Sequence, residues 1–584
     1  MNMNKRIHYI LGVSALLFVF LFARTAYLQL WDSPDTGVAL AEKALKYRTQ
    51  VISAEEYYRG EILDRNLLSL TDSQVKPALI VFPSSINDLN ALAKALSVLI
   101  EMTPSEISTR IKREQDLYGS RTPVIVKTNL TEGEIQQLQS SVIAATAVIP
   151  MKIRYGENSL ARHIVGYLNR IDSAQWQELR ENKKTTDTNS SLPTAYKITD
   201  NIGVSGLEGK YEEVLRGSRS QDKILGLTDA NGKLLPGLGY KRQNDSSDPW
   251  RNHLVLTLDK RYQGIVERVM DEQIIRGAVV VLDIASGDIL AVASRPNFEQ
   301  NKIEKYLDGR DELIDRTSRV AFYPGSVFKM TVAAGVLEEG LVAPGEKFNC
   351  TGVHEFNDGT VISCLRPHGE VNMEEAVSRS CNTTFVQLGQ RLGNAKFYEY
   401  ASRLGFTVNI NTASPPALLG NASIGQQGVL VSPLQIANLY ATIARDGRYR
   451  PTRLLSSIRN YQGDLIYEYP NQPAVQAIST ETAKILQKAL VSAVQSGSGL
   501  QGWLDGYGTA GKTGTAQTNN TDKVIAWFAG YTPVDTPRLA IAVMVEENAA
   551  GAFTGLRGGD NAAPVFKEIA EEILALENIL ENES

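Results

Sequence analysis

Three short polar motifs occur in a fixed order along the chain: Ser326-Val327-Phe328-Lys329, then Ser380-Cys381-Asn382, then Lys512-Thr513-Gly514-Thr515. A serine and a lysine three positions apart on a helix share one face, so the lysine amine can reach the serine hydroxyl. That arrangement activates a serine nucleophile without histidine. The second motif adds a hydroxyl and an amide. The third adds a cation and hydroxyls on what reads as a strand edge. The chemistry exists only in a fold that brings the three together.

Context separates these motifs from chance copies. Ser73-Gln74-Val75-Lys76 and Ser220-Gln221-Asp222-Lys223 also fit the first pattern, and Ser85-Ile86-Asn87 fits the second. They lie in polar stretches without ordered partner motifs and read as surface residues. Around Ser326, Pro324-Gly325 form a turn, and Val327, Phe328, Met330, Val332 and Ala333 make the next segment apolar. This predicts a buried helix whose first turn carries the serine. After Lys512, the apolar runs 524–531 and 539–545 predict two buried strands separated by Pro533, Asp535 and Pro537. A serine–histidine–aspartate hydrolase is the rival, but the chain has five histidines and no Gly-x-Ser-x-Gly elbow.

With 584 residues the chain is long enough for several domains. Its formal charge of −5 carries no basic excess, which argues against nucleic acid as a partner. Lys5 and Arg6 precede an apolar run from Tyr9 to Ala23, extended past Arg24 by Ala26, Tyr27, Leu28, Leu30 and Trp31. Counted through Trp31, the run reaches the roughly 20 residues a bilayer needs, with Arg24 snorkelling and Trp31 at the interface. A cleaved signal peptide is the alternative. Arg24 and the lack of a small-x-small site favour a retained anchor. Positive residues before the span, with Asp32 and Asp35 after it, put the N-terminus in the cytoplasm and the remainder outside.

Polar breaks at 181–193 and 243–249 divide that remainder, so a second domain begins near residue 251. In it, Asp259 caps a predicted helix with Ile265, Val266, Val269 and Ile274 on one side. Residues 278–282 and 289–293 predict a β-hairpin joined by 285–288. The domain mixes an antiparallel sheet with helices and holds all three motifs.

The ordered trio is similar to the signature of penicillin-binding proteins and class A β-lactamases. The segment from Gly277 to Phe298 resembles the opening of a penicillin-binding transpeptidase domain, and Gly425-Gln426-Gln427-Gly428 with Ser432-Pro433-Leu434-Gln435 resembles a later stretch. Upstream, residues 59–66 (Arg59-Gly60-Glu61-Ile62-Leu63-Asp64-Arg65-Asn66) and Gly206-Leu207-Glu208 with Tyr211-Glu212 resemble the pedestal of class B penicillin-binding proteins. The chain is most similar to the elongation-type penicillin-binding protein 2 branch. No glycosyltransferase domain is apparent before the pedestal, unlike the bifunctional class A.

The resemblance implies an α/β (α+β) transpeptidase domain with a central antiparallel sheet flanked by helices, a pedestal and one transmembrane helix. The corresponding boundaries are a cytoplasmic tail at 1–8, an anchor at 9–31, a dimerisation-like pedestal at 32–250, the transpeptidase domain at 251–575 and a tail at 576–584. It implies D,D-transpeptidation of peptidoglycan stem peptides ending in D-Ala-D-Ala, with β-lactams as acylating inhibitors. On this basis Ser326 would attack the penultimate D-Ala carbonyl. Lys329 would act as base, its amine kept neutral by burial and a neighbouring cation. Ser380 would relay a proton and Asn382 would hold the substrate amide. Lys512, Thr513 and Thr515 would take the terminal carboxylate, and Gly514 would let substrate backbone approach the strand. The backbone N–H groups of Ser326 and Thr515 would form the oxyanion hole. The implied partner is a membrane-embedded glycan polymerase, and the implied location is the bacterial inner membrane.

All three cysteines fall in one window, as Cys350, Cys364 and Cys381, with His368 between the last two. Three thiolates and an imidazole form a structural zinc set, although the spacing is not that of a standard finger. Some elongation-type relatives are similar in carrying a metal cluster beside the second motif. A Cys350–Cys364 disulfide with Cys381 buried, or three unligated thiols, are the alternatives. His354 and Asp358 stand in reserve as ligands. For the function, the alternatives to a transpeptidase are a D,D-carboxypeptidase or β-lactamase that hands the acyl group to water, and a non-turnover β-lactam sensor or scaffold.

Overall fold

The computed structural model describes residues 3–30, 49–52, 59–120, 123–141, 143–172, 174–179, 196, 200–217, 223–227, 240–243, 251–309, 311–343, 345–518 and 523–583. Helix α1 (Met3–Leu30) opens the chain. Its stretch His8–Ala26 has a mean hydropathy of 1.9 and is not buried among the described residues. At 1.5 Å per residue those 19 residues span about 28 Å, enough to cross a bilayer's hydrocarbon. Trp31, Asp32, Asp35, the loop at 181–193 and most of the break at 243–249 lie outside the described residues.

In the pedestal, β1 (Ile62–Leu63) leads to an antiparallel sheet of β2 (Gln74–Val81), β3 (Val124–Lys127) and β4 (Thr146–Ile153), ordered β3-β2-β4. Its helices Pro104–Tyr118 and Glu132–Ser140 start at capping boxes, Thr103 with Glu106 and Thr131 with Glu134. Each cap satisfies free N–H groups and is worth about 1 kcal/mol. Leu92 and Leu96 of the helix Leu89–Ser97, with Ile107 and Ile111 of Pro104–Tyr118, pack on Leu79, Val81, Val124 and Val126 of the sheet. The two stretches resembling a class B pedestal meet in a buried ionic cluster. Arg59 contacts Glu208 at 2.5 Å and Glu212 at 2.6 Å, and Arg154 contacts Glu208 at 2.7 Å. Burial opposes ionisation of Glu208, but Arg154 and Arg59 together hold its carboxyl below the usual range.

The second domain begins at β5 (Asn252–Leu256) and α2 (Lys260–Gln273), whose N-cap is Asp259 accepting from the Arg261 N–H. Its main sheet has five antiparallel strands: β6 (Ile274–Asp283), β7 (Ile289–Arg295), β10 (Ala510–Gln517), β11 (Val524–Thr532) and β12 (Leu539–Asn548), ordered β7-β6-β12-β11-β10. Alternate side chains go to opposite faces. Val279, Val281, Val543 and Val545 join Val266 and Val269 of α2 and Ile569 and Ile573 of α7 (Ala563–Glu583). Ala278, Val280, Ala542 and Met544 join α3 (Lys329–Glu338) and α5 (Pro433–Ala444) in the larger core. Both faces are covered, which is why these strands read as continuous apolar runs.

Three expectations are corrected. Ile274 opens β6 instead of completing the helical stripe, because α2 ends at Gln273. Ser326 lies in a 3-10 turn, Gly325–Phe328, that feeds α3, not in the α-helix itself. Ser85 is buried in the turn Pro83–Ser85, not on the surface. The two domains also share a sheet: β1 pairs in parallel with β5, and β8 (Leu455–Asn460) and β9 (Leu465–Glu468) continue it.

Candidate active site

The edge strand β10 and the 3-10 turn before α3 face each other, and this juxtaposition builds the site. In a 3-10 turn residues i and i+3 eclipse, so Ser326 and Lys329 lie on one side. Ser326 is partly exposed, whereas Lys329 is fully buried. Gly325 has φ +58° and donates its N–H to the Gly425 carbonyl at 2.8 Å. A Cβ there would lie 2.9 Å from the Thr515 carbonyl oxygen, so both the dihedral and the close approach require glycine. Two buried aromatic donors hold the turn from either side. Trp527 Nε1 on β11 donates to the Tyr323 carbonyl at 3.1 Å, and Tyr440 Oη on α5 donates to the Val327 carbonyl at 3.1 Å.

Lys329 joins the first motif to the second. Its Nζ donates to Asn382 Oδ1 at 2.7 Å and the Ser380 carbonyl at 2.9 Å, and stands 3.4 Å from Ser380 Oγ. Burial pushes its pKa down to about 7, partly offset by Cys381 and Cys364. The cation expected beside it instead bears on Lys512. That side chain is also fully buried and held well below its ordinary range, first by burial and then by Lys329. Ser380 sits at φ +55°, a left-handed conformation that turns the chain into α4 (Asn382–Arg403).

Two expected roles look different in place. Both ends of the Asn382 amide are engaged, Oδ1 by Lys329 and Nδ2 by donation to the Ser363 carbonyl at 2.8 Å. A Cβ on Gly514 would meet the Pro324 oxygen at 2.8 Å and Trp527 Cβ at 3.0 Å. Gly514 therefore makes room for the nucleophile turn. Along β10, Lys512 Nζ donates to the Thr513 carbonyl at 3.1 Å, and Thr515 is exposed at the cleft. The Trp527 and Tyr440 donors and Ser498, whose hydroxyl is 2.5 Å from that of Thr513, are additions that no motif announced, and Gly425 lay in a stretch quoted only for its resemblance.

Behind the second motif, the donor atoms of Cys350, Cys364, His368 and Cys381 all lie within 4.8 Å of one another. Cys364 Sγ is 3.7 Å from Cys350 Sγ and 3.8 Å from Cys381 Sγ, and His368 Nδ1 is 3.4 Å from Cys350 Sγ. Two of the donors come from short strands. Cys350 ends Phe348–Cys350, and Cys364 follows Val361–Ser363. Cys381 is the N-cap of α4, where the Asn382 and Thr383 N–H groups point at Cys364 Sγ at 3.2 and 3.4 Å. The Cys381 thiol is pulled below its ordinary range, first by the hydrogen bond with Cys364 and then, against burial, by the Thr383 and Thr384 hydroxyls. His354 faces Phe356 and Gln390, and Asp358 accepts the Thr360 N–H in a hairpin turn, so neither reserve ligand joins the cluster.

Comparison with known proteins gives a consistent picture. Residues 277–571 match the penicillin binding protein transpeptidase domain, and residues 54–245 match the penicillin-binding protein dimerisation domain. The chain is 27% identical to stage V sporulation protein D of Bacillus subtilis, covering 98% of this chain and 86% of that one. It is 25% identical to peptidoglycan D,D-transpeptidase MrdA of Acinetobacter baumannii, covering 97% and 86%. Among solved structures, the D,D-transpeptidase domain of a peptidoglycan glycosyltransferase from Eggerthella lenta shares the fold, with a TM-score of 0.56, 23% identity and coverage of 74% and 94%.

Proposed function

The chain belongs to the penicillin-binding proteins, in the class B arrangement of a dimerisation domain followed by a transpeptidase domain, and from this we propose a membrane-anchored peptidoglycan D,D-transpeptidase. The observation that carries the mechanism is the buried Lys329 amine, hydrogen-bonded at once to the Ser380 and Asn382 positions beside the nucleophile turn. With a pKa near 7 a substantial fraction is neutral and able to accept the Ser326 proton. Ser326 Oγ attacks the penultimate D-Ala carbonyl, its proton passes to Lys329, and the Ser326 and Thr515 N–H groups receive the oxyanion. Ser380 returns the proton to the departing D-Ala amine. Asn382 orients Lys329 in the empty site and turns to the substrate amide when the donor peptide enters. Lys512, Thr513 and Thr515 take the terminal carboxylate. Attack by an amine of a second stem peptide then completes the cross-link and regenerates Ser326.

Orientation, metal and partner belong to the same reading. Lys5 and Arg6, ahead of the apolar stretch of α1, support a cytoplasmic N-terminus and a catalytic domain outside. Cys350, Cys364, His368 and Cys381 fit a zinc ion in number, softness and proximity. The ion would supply a structural cross-link, fixing the Ser380–Asn382 turn to the strands that carry Cys350 and Cys364. Family resemblance supports a membrane-embedded glycan polymerase as partner and the elongation-type branch as the place of this chain. The deciding experiment is labelling by a fluorescent penicillin, followed by mapping of the adduct and provision of an amine acceptor. Ser326 should carry the adduct, Ser326→Ala should abolish it, and a D-Ala-D-Ala donor should be transferred to the amine. Adducts on another serine would sink the site. Transfer to water alone would favour the carboxypeptidase reading, and no turnover would favour a sensor.

A further inference from the structure

Ser498 belongs to none of the three motifs, yet its backbone and side chain are held on three sides. It lies in Ser496-Gly497-Ser498-Gly499, just after α6 (Thr480–Gln495). Its N–H points to the Ser378 carbonyl at 3.4 Å, two residues before Ser380. Gly497 packs so tightly there that a Cβ would come within 2.4 Å of the same oxygen. On the other side, a Cβ on Gly559 would lie 2.7 Å from the Ser498 carbonyl oxygen. The side chain remains open to the cleft, and Oγ is 2.5 Å from Thr513 Oγ1. Thr513 Oγ1 also stands 3.5 Å from Lys512 Nζ. The Thr513 hydroxyl therefore sits between the Lys512 amine and a second hydroxyl.

We propose that Ser498 is a positioning residue of the carboxylate subsite, aiming the Thr513 hydroxyl at the donor peptide's terminal carboxylate. In the empty site Thr513 accepts from Lys512 and gives its proton to Ser498. When a carboxylate arrives, Thr513 turns its proton to the anion and Ser498 donates to Thr513. Hydrogen bonds in such a chain polarise and strengthen one another. Because the same loop is fastened to Ser378, the second and third motifs are kept in register by a fourth polar element. No Ser-x-x-Lys or Ser-x-Asn pattern could have marked it.

This inference rests on the transpeptidase reading, and its test separates the two. Acylation of the full-length protein in detergent is measured with benzylpenicillin and with its methyl ester, which lacks the anionic carboxylate. Ser498→Ala should raise the half-saturating concentration of the acid by roughly two- to tenfold, the range of one hydrogen bond. The loss should fall on saturation, not on the maximal acylation rate, and the ester should show none. Ser498→Thr, which restores a hydroxyl, should recover the acid. With Thr513→Val already in place, Ser498→Ala should add little. Equal losses for acid and ester, a loss confined to the maximal rate, additive effects of the two substitutions, or no change would each overturn the role of Ser498. Failure of wild-type Ser326 to form any adduct would overturn the transpeptidase reading, and this inference with it.

Discussion

At the scale of single residues, the site turns on two buried amines that carry opposite pH signatures. As the proposed base, Lys329 must be neutral to act, and burial brings its pKa down to about 7. Acylation of Ser326 should therefore rise with pH through about 7 and level off above it. A flat profile between pH 6 and 8 would remove Lys329 from that step. Lys512 is held below its ordinary range by burial and by Lys329. An arriving carboxylate favours the charged form, worth about 1.5–3 kcal/mol as a charge-assisted hydrogen bond. Binding should then take up a proton, and calorimetry in buffers of differing ionisation enthalpy reads it directly. Lys512→Ala should abolish that uptake, and an unchanged uptake would assign it elsewhere. The motif residues were legible because their types and order are unusual. The engagement of both Asn382 amide ends was not, since one partner, Ser363, is a backbone carbonyl and leaves no trace in side-chain identity.

Among the elements, the 3-10 turn is the most constrained. Tyr440 donates its only hydroxyl proton to the Val327 carbonyl from a fully buried position. Tyr440→Phe should cost about 1 kcal/mol of stability and slow acylation, read as paired melting and labelling measurements. Full activity in a correctly folded variant would show that the contact does not hold the turn. The α4 N-terminus depends on the cysteine cluster in the same way. With zinc in the proposed site, chelation should lower the melting temperature by several degrees and slow acylation, with Cys381→Ser reproducing both. A metal-free protein with full activity and a Cys350–Cys364 bridge would rule the metal out. The apolar runs of β6, β11 and β12 announced themselves because both sheet faces are buried. The donors Trp527 and Tyr440 did not, because hydrophobic pattern is blind to where an indole N–H or a phenol points. Gly425 was visible only through resemblance, and its reason is the contact with Gly325, about a hundred residues earlier.

For the whole molecule, the question is how firmly the pedestal holds the catalytic domain. His163 of the pedestal is half-buried against Phe298, with Nε2 bonded to the Glu312 carbonyl at 2.7 Å. Burial foremost pushes its pKa from 6.5 down to about 4, with Arg295 and Arg316 helping, and Asp315 and that hydrogen bond opposing. The unfolded chain takes up this proton first as pH falls. Stability should therefore be full above about 6.5 and decline towards 4, by at most about 3 kcal/mol. Melting temperature against pH measures it, and His163→Gln should flatten the decline. An identical slope in both proteins would place the acid sensitivity elsewhere.

The parallel pairing of β1 with β5 has a consequence for how the protein is made. Ile62 lies beside Leu254, so the ribosome must add roughly 190 further residues before the partner exists. At about 5–20 residues per second, that is a wait on the order of 10–40 s. During this interval the early strand has left its birthplace with one edge unsatisfied, and without it the edge of β5 stays unpaired. A fragment that starts at the apparent domain border, near residue 251, would lack that strand from the outset. Expression of the catalytic half alone should yield less soluble protein than a chain beginning before Arg59, and co-expressing residues 59–217 in trans should restore part of the difference.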